Sequence, residues 1–508
     1  MYKRQDDTIR IRRNLTLEAG LRQEFTTGWN EAYGNASNYV TGANGILVTN
    51  PILGSSVYTQ NNAIRLFSPR ASLAWDVFGT GKTAVRAGYG MYYSLIDDLA
   101  FLLNSLPPYN GAATFAGSLS TFTPVQAGKA PPASCGPVAP TPCTTFSPQG
   151  IQANAKTPAV QEWNLTLEQQ LSHNTSLRVA YVGSFGVHEL LSVDPNTIAA
   201  QICNLPAGCP SGGIGTAKSS VAQGTQYIPI PTNGKRPNQY LSSGFFWYTE
   251  GNSSYNALQV DVSHRMSKGL EFRGNYTWAK NLDINSGLTG AQANNQAQMV
   301  LDRNDIRRDW GPSSLNPSSQ ASISANYELP FGHAQRWLND VSRVKSKFVS
   351  GWQLNGIGTF LSGFPFTPLV GSNRSGDGNT RVTDRPSLNP SFTGPIVTGN
   401  PNQWFNPAAF LVPTAGTYGN LGRGTLTGPG LTDVDMSLFK NTNITTKTNL
   451  QFRAEFFNIL NRSNYATPNT TIFSITPGAA PAISPSAALI TTTATFPRQI
   501  QLGLKLIF

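Results

Sequence analysis

The feature that most constrains this chain is a two-residue alternation of apolar and polar side chains, which recurs from one end of the sequence to the other. The clearest segments are 15–22, 85–93, 270–278 and 498–508. A period of two places neighbouring side chains on opposite faces of a β-strand. The sequence therefore predicts an all-β fold whose strands have one apolar and one polar face.

The connections between these segments alternate between short and long. Tight turns are predicted at 13–14, 79–82, 172–174, 266–269 and near Asn441, and they alternate with loops of about 35 to 70 residues. A soluble sandwich or propeller has no reason to place every long loop at the same end, whereas a bacterial barrel has short periplasmic turns and long outer loops. The pattern predicts a transmembrane, antiparallel, up-and-down β-barrel with long extracellular loops in the bacterial outer membrane.

The chain ends on a strand with one strongly apolar face. The residues on that face are Ile500, Leu502, Leu504, Leu506 and Phe508. A barrel strand has this pattern because one face meets lipid and the other meets a polar lumen; the alternative is the last strand of a soluble β-sandwich. A terminal strand closed by an aromatic residue also resembles the signal that the barrel-assembly machinery recognises, and we interpret these residues as that signal.

Composition excludes several classes of protein. Of 508 residues, 39% are hydrophobic and 12% are charged, and no apolar run approaches the ~18 residues of a spanning helix. The net charge of +11 is spread along the chain without a run of Lys and Arg, so no nucleic-acid partner is predicted. A basic surface suits contact with lipopolysaccharide or with an anionic solute.

The four cysteines form two close pairs, Cys135 with Cys143 and Cys203 with Cys209. Both pairs lie in Pro- and Gly-rich stretches of the predicted outer loops, where short-loop disulfides are expected in an oxidising compartment. Neither pair has a Cys-x-x-Cys spacing or a histidine close in sequence, as a zinc site would need. We therefore expect two disulfides and no metal site.

Two short motifs resemble ligand-binding loops but lack residues that such loops need. Gly79–Thr83 ends like a phosphate-binding loop, yet Asp76 stands where that motif has a glycine and a strand follows in place of a helix; we interpret it as a hairpin turn. Gly376–Asn379, with Asp384 nearby, has too few spaced acids for calcium, and we interpret it as a solvated loop while leaving calcium open. Since no catalytic motif is present, neither an enzyme nor a cofactor is predicted.

The densest charge cluster occupies residues 302–309. Its basic members are Arg303, Arg307 and Arg308. These side chains are candidates for binding an anionic solute or lipopolysaccharide. The alternative is a solvated loop whose arginines pair with the neighbouring aspartates.

Short segments spread in order along the chain match a known family. They include Arg13–Arg22, Ser68–Asp76, Gln161–Leu165, Tyr276–Lys280, Glu328–Gly332, Trp404–Phe410, Phe452–Asn458 and Pro497–Leu502. Through these segments the whole chain resembles the C-terminal barrel region of TonB-dependent receptors, in particular the Oar-like group of acidobacteria.

The resemblance implies a larger protein. Members of the family carry a signal peptide, a carboxypeptidase-regulatory-like domain, a plug with a TonB box and about 22 strands. Residues 1–508 are then the C-terminal part of the barrel, without plug, TonB box or N-terminal strands, and about 12–13 strands form an open curved sheet. The polar start of the chain, with no apolar signal segment after it, agrees with a fragment.

The resemblance also implies a function. Such receptors take up a bulky solute, such as a siderophore, glycan or peptide, and a TonB-type energy-coupling complex drives the import through the N-terminal region that is missing here. The alternative is a structural or adhesive outer-membrane barrel without active transport. The residues do not identify the solute.

Overall fold

The computed structural model describes residues 2–27, 30–95, 136–137, 145, 147–287, 299–332, 335–445, 447–475 and 480–508. Long antiparallel strands dominate this part of the chain, and helix is almost absent. No described helix is both long enough and apolar enough to cross a bilayer. The predicted all-β fold class is confirmed.

Thirteen strands follow one another in a single antiparallel sheet, in the same order in space as in the described sequence. They are β1 (Tyr2–Arg12), β2 (Leu15–Glu24), β3 (Leu66–Asp76), β4 (Thr83–Tyr93), β5 (Ala159–Gln170), β6 (Thr175–Val193), β7 (Phe245–Ser267), β8 (Leu270–Asp283), β9 (Ser319–Glu328), β10 (Trp352–Leu361), β11 (Leu431–Asn443), β12 (Asn449–Phe457) and β13 (Gln499–Ile507). This is the predicted up-and-down topology.

The remaining elements are short and lie in the connections. The small strands are Ala36–Asn38, Ile52–Gly54, Gln149–Ile151, Gln201–Ile202, Cys209–Ser211, Ser219–Val221, Gln226–Tyr227, Gly311–Pro312, Pro365–Phe366, Ser387–Leu388, Val397–Asn400, Gln403–Phe405, Phe410–Leu411, Leu426–Thr427, Phe473–Ser474 and Ala482–Ile483. The helices within the described residues are α1 (Arg343–Val349) and the 3₁₀ helices Ile306–Asp309 and Pro407–Ala409. Most of the small strands pair with each other as two-stranded ribbons.

The connections alternate in length from one end of the sheet to the other. One end has 13–14, 77–82, 171–174, 268–269, 329–351 and 444–448, and the other has 25–65, 94–158, 194–244, 284–318, 362–430 and 458–498. We call the second group the outer loops. The predicted alternation is confirmed, and connection 329–351 is the longest at the short-turn end.

Glycine and a local carboxylate shape two of the tight turns. Lys268 and Gly269 have positive φ values of 51° and 82°, as a two-residue hairpin requires. In the turn between β3 and β4, the Gly81 N–H donates to Asp76 Oδ2 at 2.8 Å, and Gly79 has a φ of 68°. The residues that resembled a phosphate-binding loop are therefore part of the β3–β4 hairpin turn.

Strand register separates an apolar face from a polar face across the sheet. One row of paired residues runs through Ile9, Leu17, Leu73, Ala87, Leu165, Tyr181, Leu258 and Trp278. The adjacent row runs through Thr8, Glu18, Ser72, Gly88 and Asn164. In a membrane barrel the apolar face meets lipid and the polar face lines the lumen.

The sheet is not closed into a cylinder. Within the described residues, β1 pairs with β2 and β13 pairs with β12, and no ladder joins β1 to β13. This outcome matches the open curved sheet expected from the sequence.

The buried apolar core lies among the outer loops rather than within the sheet. One cluster, which includes Leu191, Phe246 and Val300, packs where the outer ends of β6 and β7 meet the loops. A second is built around Phe366, Phe405 and Ile472 in the last two outer loops. This distribution follows from the sheet, since its apolar face is reserved for lipid and its other face is polar.

The assignment of faces predicts unequal effects of arginine at adjacent positions. Ile323 is on the apolar face of β9 and 51% exposed, so Ile323→Arg should lower the free energy of unfolding by about 2–4 kcal/mol near the bilayer centre. Ser322→Arg, on the polar face, is the matched control and should cost far less. Urea unfolding of the full chain in lipid vesicles measures both; equal losses would contradict the assignment.

Candidate functional site

Buried arginines connect the outer loops to one another. Arg385, in the β10–β11 loop, donates through Nη1 to Asp309 Oδ1 at 2.7 Å and through Nη2 to the Arg308 carbonyl at 3.0 Å. Asp309 belongs to the β8–β9 loop, and both side chains of the ion pair are less than 10% exposed. Two loops that are distant in sequence are thereby fixed against each other.

A second arginine connects the same loops to the sheet. Arg423 donates through Nε to the Asp309 carbonyl at 2.6 Å and through Nη1 to Ser286 Oγ at 3.0 Å. Its Nη2 contacts the carboxylate of Asp283, the last residue of β8, and the Gly311 carbonyl. The β10–β11 loop is therefore held directly over the outer end of β8.

Arg236 forms a third link, between the β6–β7 and β10–β11 loops. It lies 3.4 Å from Asp194 Oδ2 and also contacts the carbonyls of Asn196 and Gly378. The Asp194 side chain is fully buried. It accepts further hydrogen bonds from Ser243 Oγ at 2.6 Å and from the Gly244 N–H at 2.9 Å. Together the arginines join the β6–β7, β8–β9 and β10–β11 loops into one packed layer.

Two carboxyl groups are buried inside this layer. Asp377 and Asp384 are each 2% exposed. Burial raises the pKa of Asp377 to about 6, against the opposing effect of bonds from Asn373, Asn379 and Tyr418. Burial, followed by the charge of Asp377, raises the pKa of Asp384 to about 7.

The solvated loop expected at Gly376–Asn379 is therefore wrong. The Asp377 carboxylate accepts the Asn373 amide at 2.8 Å and the Tyr418 hydroxyl at 3.1 Å, and the Ile198 N–H donates to the Asp377 carbonyl at 2.8 Å. These partners come from other parts of the loop layer and exclude water. Among the residues described, no group of three or more His, Cys, Asp or Glu side chains is arranged to hold a metal ion.

The charge cluster at 302–309 is solvated only in part, because Asp302 and Asp309 are 3% and 5% exposed, and one pair forms within it, Arg308 with Asp305 at 4.0 Å. The structure places Arg303 3.5 Å from Glu250 Oε2 and 4.4 Å from the Tyr248 ring centroid. Arg308 stacks on Tyr418 at 5.0 Å, whereas Arg307 is exposed. The predicted arginines thus have different environments, and anion binding by them stays a prediction.

The predicted cysteine pairs differ in what the structure describes. Cys203 and Cys209 form a disulfide and are buried with Val221 in a small cluster of the β6–β7 loop. Cys135 and Cys143 lie outside the described residues.

The predicted assembly-signal residues lie on one face of β13 and just beyond it. Ile500, Leu502, Leu504 and Leu506 are 52% to 70% exposed, and Phe508 is 93% exposed. Their cross-strand partners include Phe456, Ala454, Phe452 and Leu450 of β12. They continue the apolar face of the sheet, and their recognition by the assembly machinery stays a prediction.

The polar face of β1–β5 contains a charged recess of about 400 Å³. Its charged lining residues are Asp6, Glu18, Arg70 and Glu162. Arg70 Nε lies 3.9 Å from Asp6 Oδ1, and the Ser72 hydroxyl donates to Glu18 at 3.2 Å. We call this feature the wall recess.

Strand glycines keep the wall recess open. A Cβ at Gly90 would lie 2.7 Å from the Tyr92 hydroxyl oxygen, and one at Gly20 would collide with the Asp6 carboxylate. Because glycine has no Cβ, the side chains of Tyr92 and Asp6 can lie flat on the sheet. Glycine inside a strand weakens it and often marks a place where another group approaches the backbone closely.

A larger cleft opens among the outer loops. It has a volume of about 1010 Å³ and is lined by segments 42–49 and 231–240 with Ile198. The lining includes amide side chains, Tyr240 and two basic residues, Lys235 and Arg236. Arg236 is already engaged by Asp194, so Lys235, which is exposed, is the basic group that faces solvent.

Comparison with known families agrees with the sheet and its faces. A family model described as an outer membrane beta barrel domain matches residues 5–501. The chain belongs to this family. Its location is therefore the bacterial outer membrane, as the alternating connections predicted.

Outer-membrane transporters and receptors are among the solved structures similar to this outer membrane barrel. They include the outer membrane transporter YddB from Escherichia coli (11% identity, TM-score 0.46, 100% of this chain and 53% of that chain). The ferric-catecholate import receptor Fiu from Escherichia coli K12 has 11% identity and a TM-score of 0.41, over 100% of this chain and 44% of its own. The siderophore receptor PiuA from Acinetobacter baumannii has 8% identity and a TM-score of 0.42, over 100% of this chain and 42% of its own.

The outer membrane barrel spans about half the length of YddB, and less than half of Fiu and PiuA. Comparison with curated proteins found no match.

Sequence reasoning missed the arginines that hold the outer loops together. Arg423 stands alone among Gly and Thr residues, and Arg385 directly follows Asp384, yet the acidic partners of Arg385 and Arg423 are 76 and 140 positions away. No local pattern identifies such a pair. The only sequence signal is the shortage of charged residues, at 12% of the chain, which makes each isolated charge in a loop a candidate for pairing.

Removing one member of the buried Arg385–Asp309 pair should loosen the outer loops. Arg385→Met leaves the Asp309 carboxylate buried without its cation, at a cost of about 3–5 kcal/mol. Amide hydrogen exchange at 300–310 should rise in this variant. The exposed Arg307→Met is the control and should leave exchange unchanged; the same protection in both variants would contradict the role assigned to Arg385.

The buried carboxyl groups predict a pH-dependent loop layer. Because the pKa of Asp384 is raised to about 7 in the fold, the folded loops hold a proton that the unfolded loops release. Their stability is therefore greatest at low pH and falls as pH rises through about 7. Protection of 373–384 against hydrogen exchange, corrected for intrinsic rates, should fall between pH 5 and pH 8. Asp384→Asn should weaken this dependence and leave the part that the raised pKa of Asp377 contributes, whereas an unchanged dependence would assign it to another group.

Proposed function

We propose that this protein is the barrel part of an outer-membrane receptor that takes up a bulky solute in an energy-coupled manner. The observation that carries the proposal is the charged wall recess on the polar face of the sheet, with Glu18 and Arg70 among its lining residues. A wall that only supports adhesive loops has no need of an open, charged recess facing the lumen. A solute that passes through the lumen needs such a recess, because the solute must exchange its bound water for contacts with the protein.

The outer loops supply a second contact region for such a solute. The cleft of about 1010 Å³ is of the size that ligand sites have, and it lies at the outer end of the same sheet. Its walls come from the β2–β3 and β6–β7 loops. A solute would meet this cleft first and the wall recess next.

Energy coupling through a TonB-type complex rests on the sequence segments that resemble the Oar-like receptors. We propose on the same ground that residues 1–508 are the C-terminal part of a larger barrel with a plug. The open sheet of thirteen described strands supports this proposal. Siderophores, glycans and peptides are the solute classes to be tested.

Uptake by cells tests the proposal. A strain lacking the gene is compared with one that carries the complete gene, using ⁵⁵Fe-loaded siderophores, fluorescent oligosaccharides and labelled peptides. The complemented strain should accumulate one class, and a protonophore should abolish the accumulation. Glu18→Gln with Glu162→Gln should lower uptake about tenfold at unchanged outer-membrane protein level, since each lost charged contact is worth about 1 kcal/mol or more.

Two outcomes would contradict the proposal. One is unchanged accumulation of all three classes when the gene is deleted, and the other is accumulation that persists with the protonophore. Loss of surface attachment without any change in uptake would favour the structural or adhesive barrel instead.

A further inference from the structure

Connection 329–351 differs from the other connections at the short-turn end of the sheet. It carries helix α1, which begins after the N-cap residue Ser342, and ends at Gly351, whose φ is 76°. A Cβ at Gly351 would collide with the carbonyl of Asn441 on β11, so the chain passes close to the sheet here. We call residues 335–350 the foot.

The foot is attached to the apolar face of the sheet. Lys440 and Trp352 are paired in register, in the same row as Phe452 and Leu504. The Trp352 indole N–H donates to the Phe348 carbonyl at 3.0 Å, and Lys440 Nζ donates to the Ser350 carbonyl at 2.5 Å. Because both donors belong to the row that meets lipid, α1 lies on the lipid side of the barrel at its periplasmic end.

The side of α1 turned away from the sheet is apolar. Val344 and Phe348, one helical turn apart, share a face and are 70% and 74% exposed. Trp337 and Leu338, earlier in the foot, are 48% and 53% exposed. Large apolar side chains are thus exposed at the level where a barrel has its inner aromatic girdle.

Basic side chains flank this apolar face. Lys345 and Lys347 are exposed and project on either side of the face formed by Val344 and Phe348, since successive helical residues are about 100° apart. Arg336 is exposed as well. The foot contains a single acidic residue, Asp340.

We propose that the foot is an interfacial anchor that binds anionic phospholipid of the periplasmic leaflet. Its apolar face continues the lipid-facing row of the sheet and enters the acyl boundary, while Lys345 and Lys347 extend to the headgroup phosphates. Amphipathic helices with lysines beside an apolar face bind membranes in this way. The outer leaflet is remote from the foot, so the lipid is a phospholipid and not lipopolysaccharide.

Lipid titration of the full chain, folded in detergent micelles, tests the anchor. Native mass spectrometry measures binding of phosphatidylglycerol and phosphatidylethanolamine. Wild type should retain phosphatidylglycerol preferentially. Lys345→Glu with Lys347→Glu should weaken its binding about tenfold or more, from about 1 kcal/mol for each lysine near an anionic surface. Val344→Ser with Phe348→Ser should weaken binding of both lipids.

The matched control reverses two exposed lysines of the outer loops, Lys156→Glu with Lys218→Glu, and should bind phosphatidylglycerol as wild type does. Heat-modified migration on a gel verifies that each variant is folded. Equal binding of the two lipids by wild type, an unaffected foot variant, or an equal loss in the control would each overturn the anchor. Loss of binding to purified peptidoglycan by the foot variant, with lipid binding unchanged, would assign the foot to the cell wall.

Discussion

The rest of this structure depends on one constraint, the hydrogen bonding of the backbone inside a bilayer. Since lipid offers no partner to an N–H or C=O group, a chain can cross it only as a helix or as strands bonded to other strands. The described residues contain no membrane-spanning helix and thirteen strands in a single ladder. Hydrogen bonds between the strands satisfy the backbone N–H and C=O groups. The side chains then alternate between the lipid face and the lumen face of the sheet. The apolar core then has to form elsewhere, and it forms in the outer loops.

The sheet could be predicted from the sequence because its determinants are local. Alternation along 15–22 or 270–278 needs only neighbouring residues, and turns such as Lys268–Gly269 have their own signature. The loop layer could not be predicted, because Arg385 and Asp309 are 76 residues apart. The local composition at Gly376–Asn379 indicates a solvent-exposed loop, yet packing against residues distant in sequence buries Asp377. Helix α1 is too short for helical periodicity to identify it.

The two ends of the barrel have different physical roles. At the outer end, buried ion pairs hold long loops as one layer over a polar wall, and the protonation of Asp377 and Asp384 couples that layer to pH. At the periplasmic end, the connections are short except for the one that carries the foot, which Lys440 and Trp352 hold against the lipid face. We propose that a solute is recognised by the outer loops and the wall recess, and that the foot attaches the barrel to the inner leaflet.

The orientation of the sheet is the central claim, and cysteine labelling of intact cells tests it most directly. Thr393→Cys lies at an exposed site of the outer loops, and Lys447→Cys lies at an exposed site of a short turn. A membrane-impermeant maleimide should label Thr393→Cys above the wild-type background in intact cells. It should label Lys447→Cys only after the outer membrane is permeabilised. Labelling of Lys447→Cys in intact cells, with Thr393→Cys protected, would contradict the account.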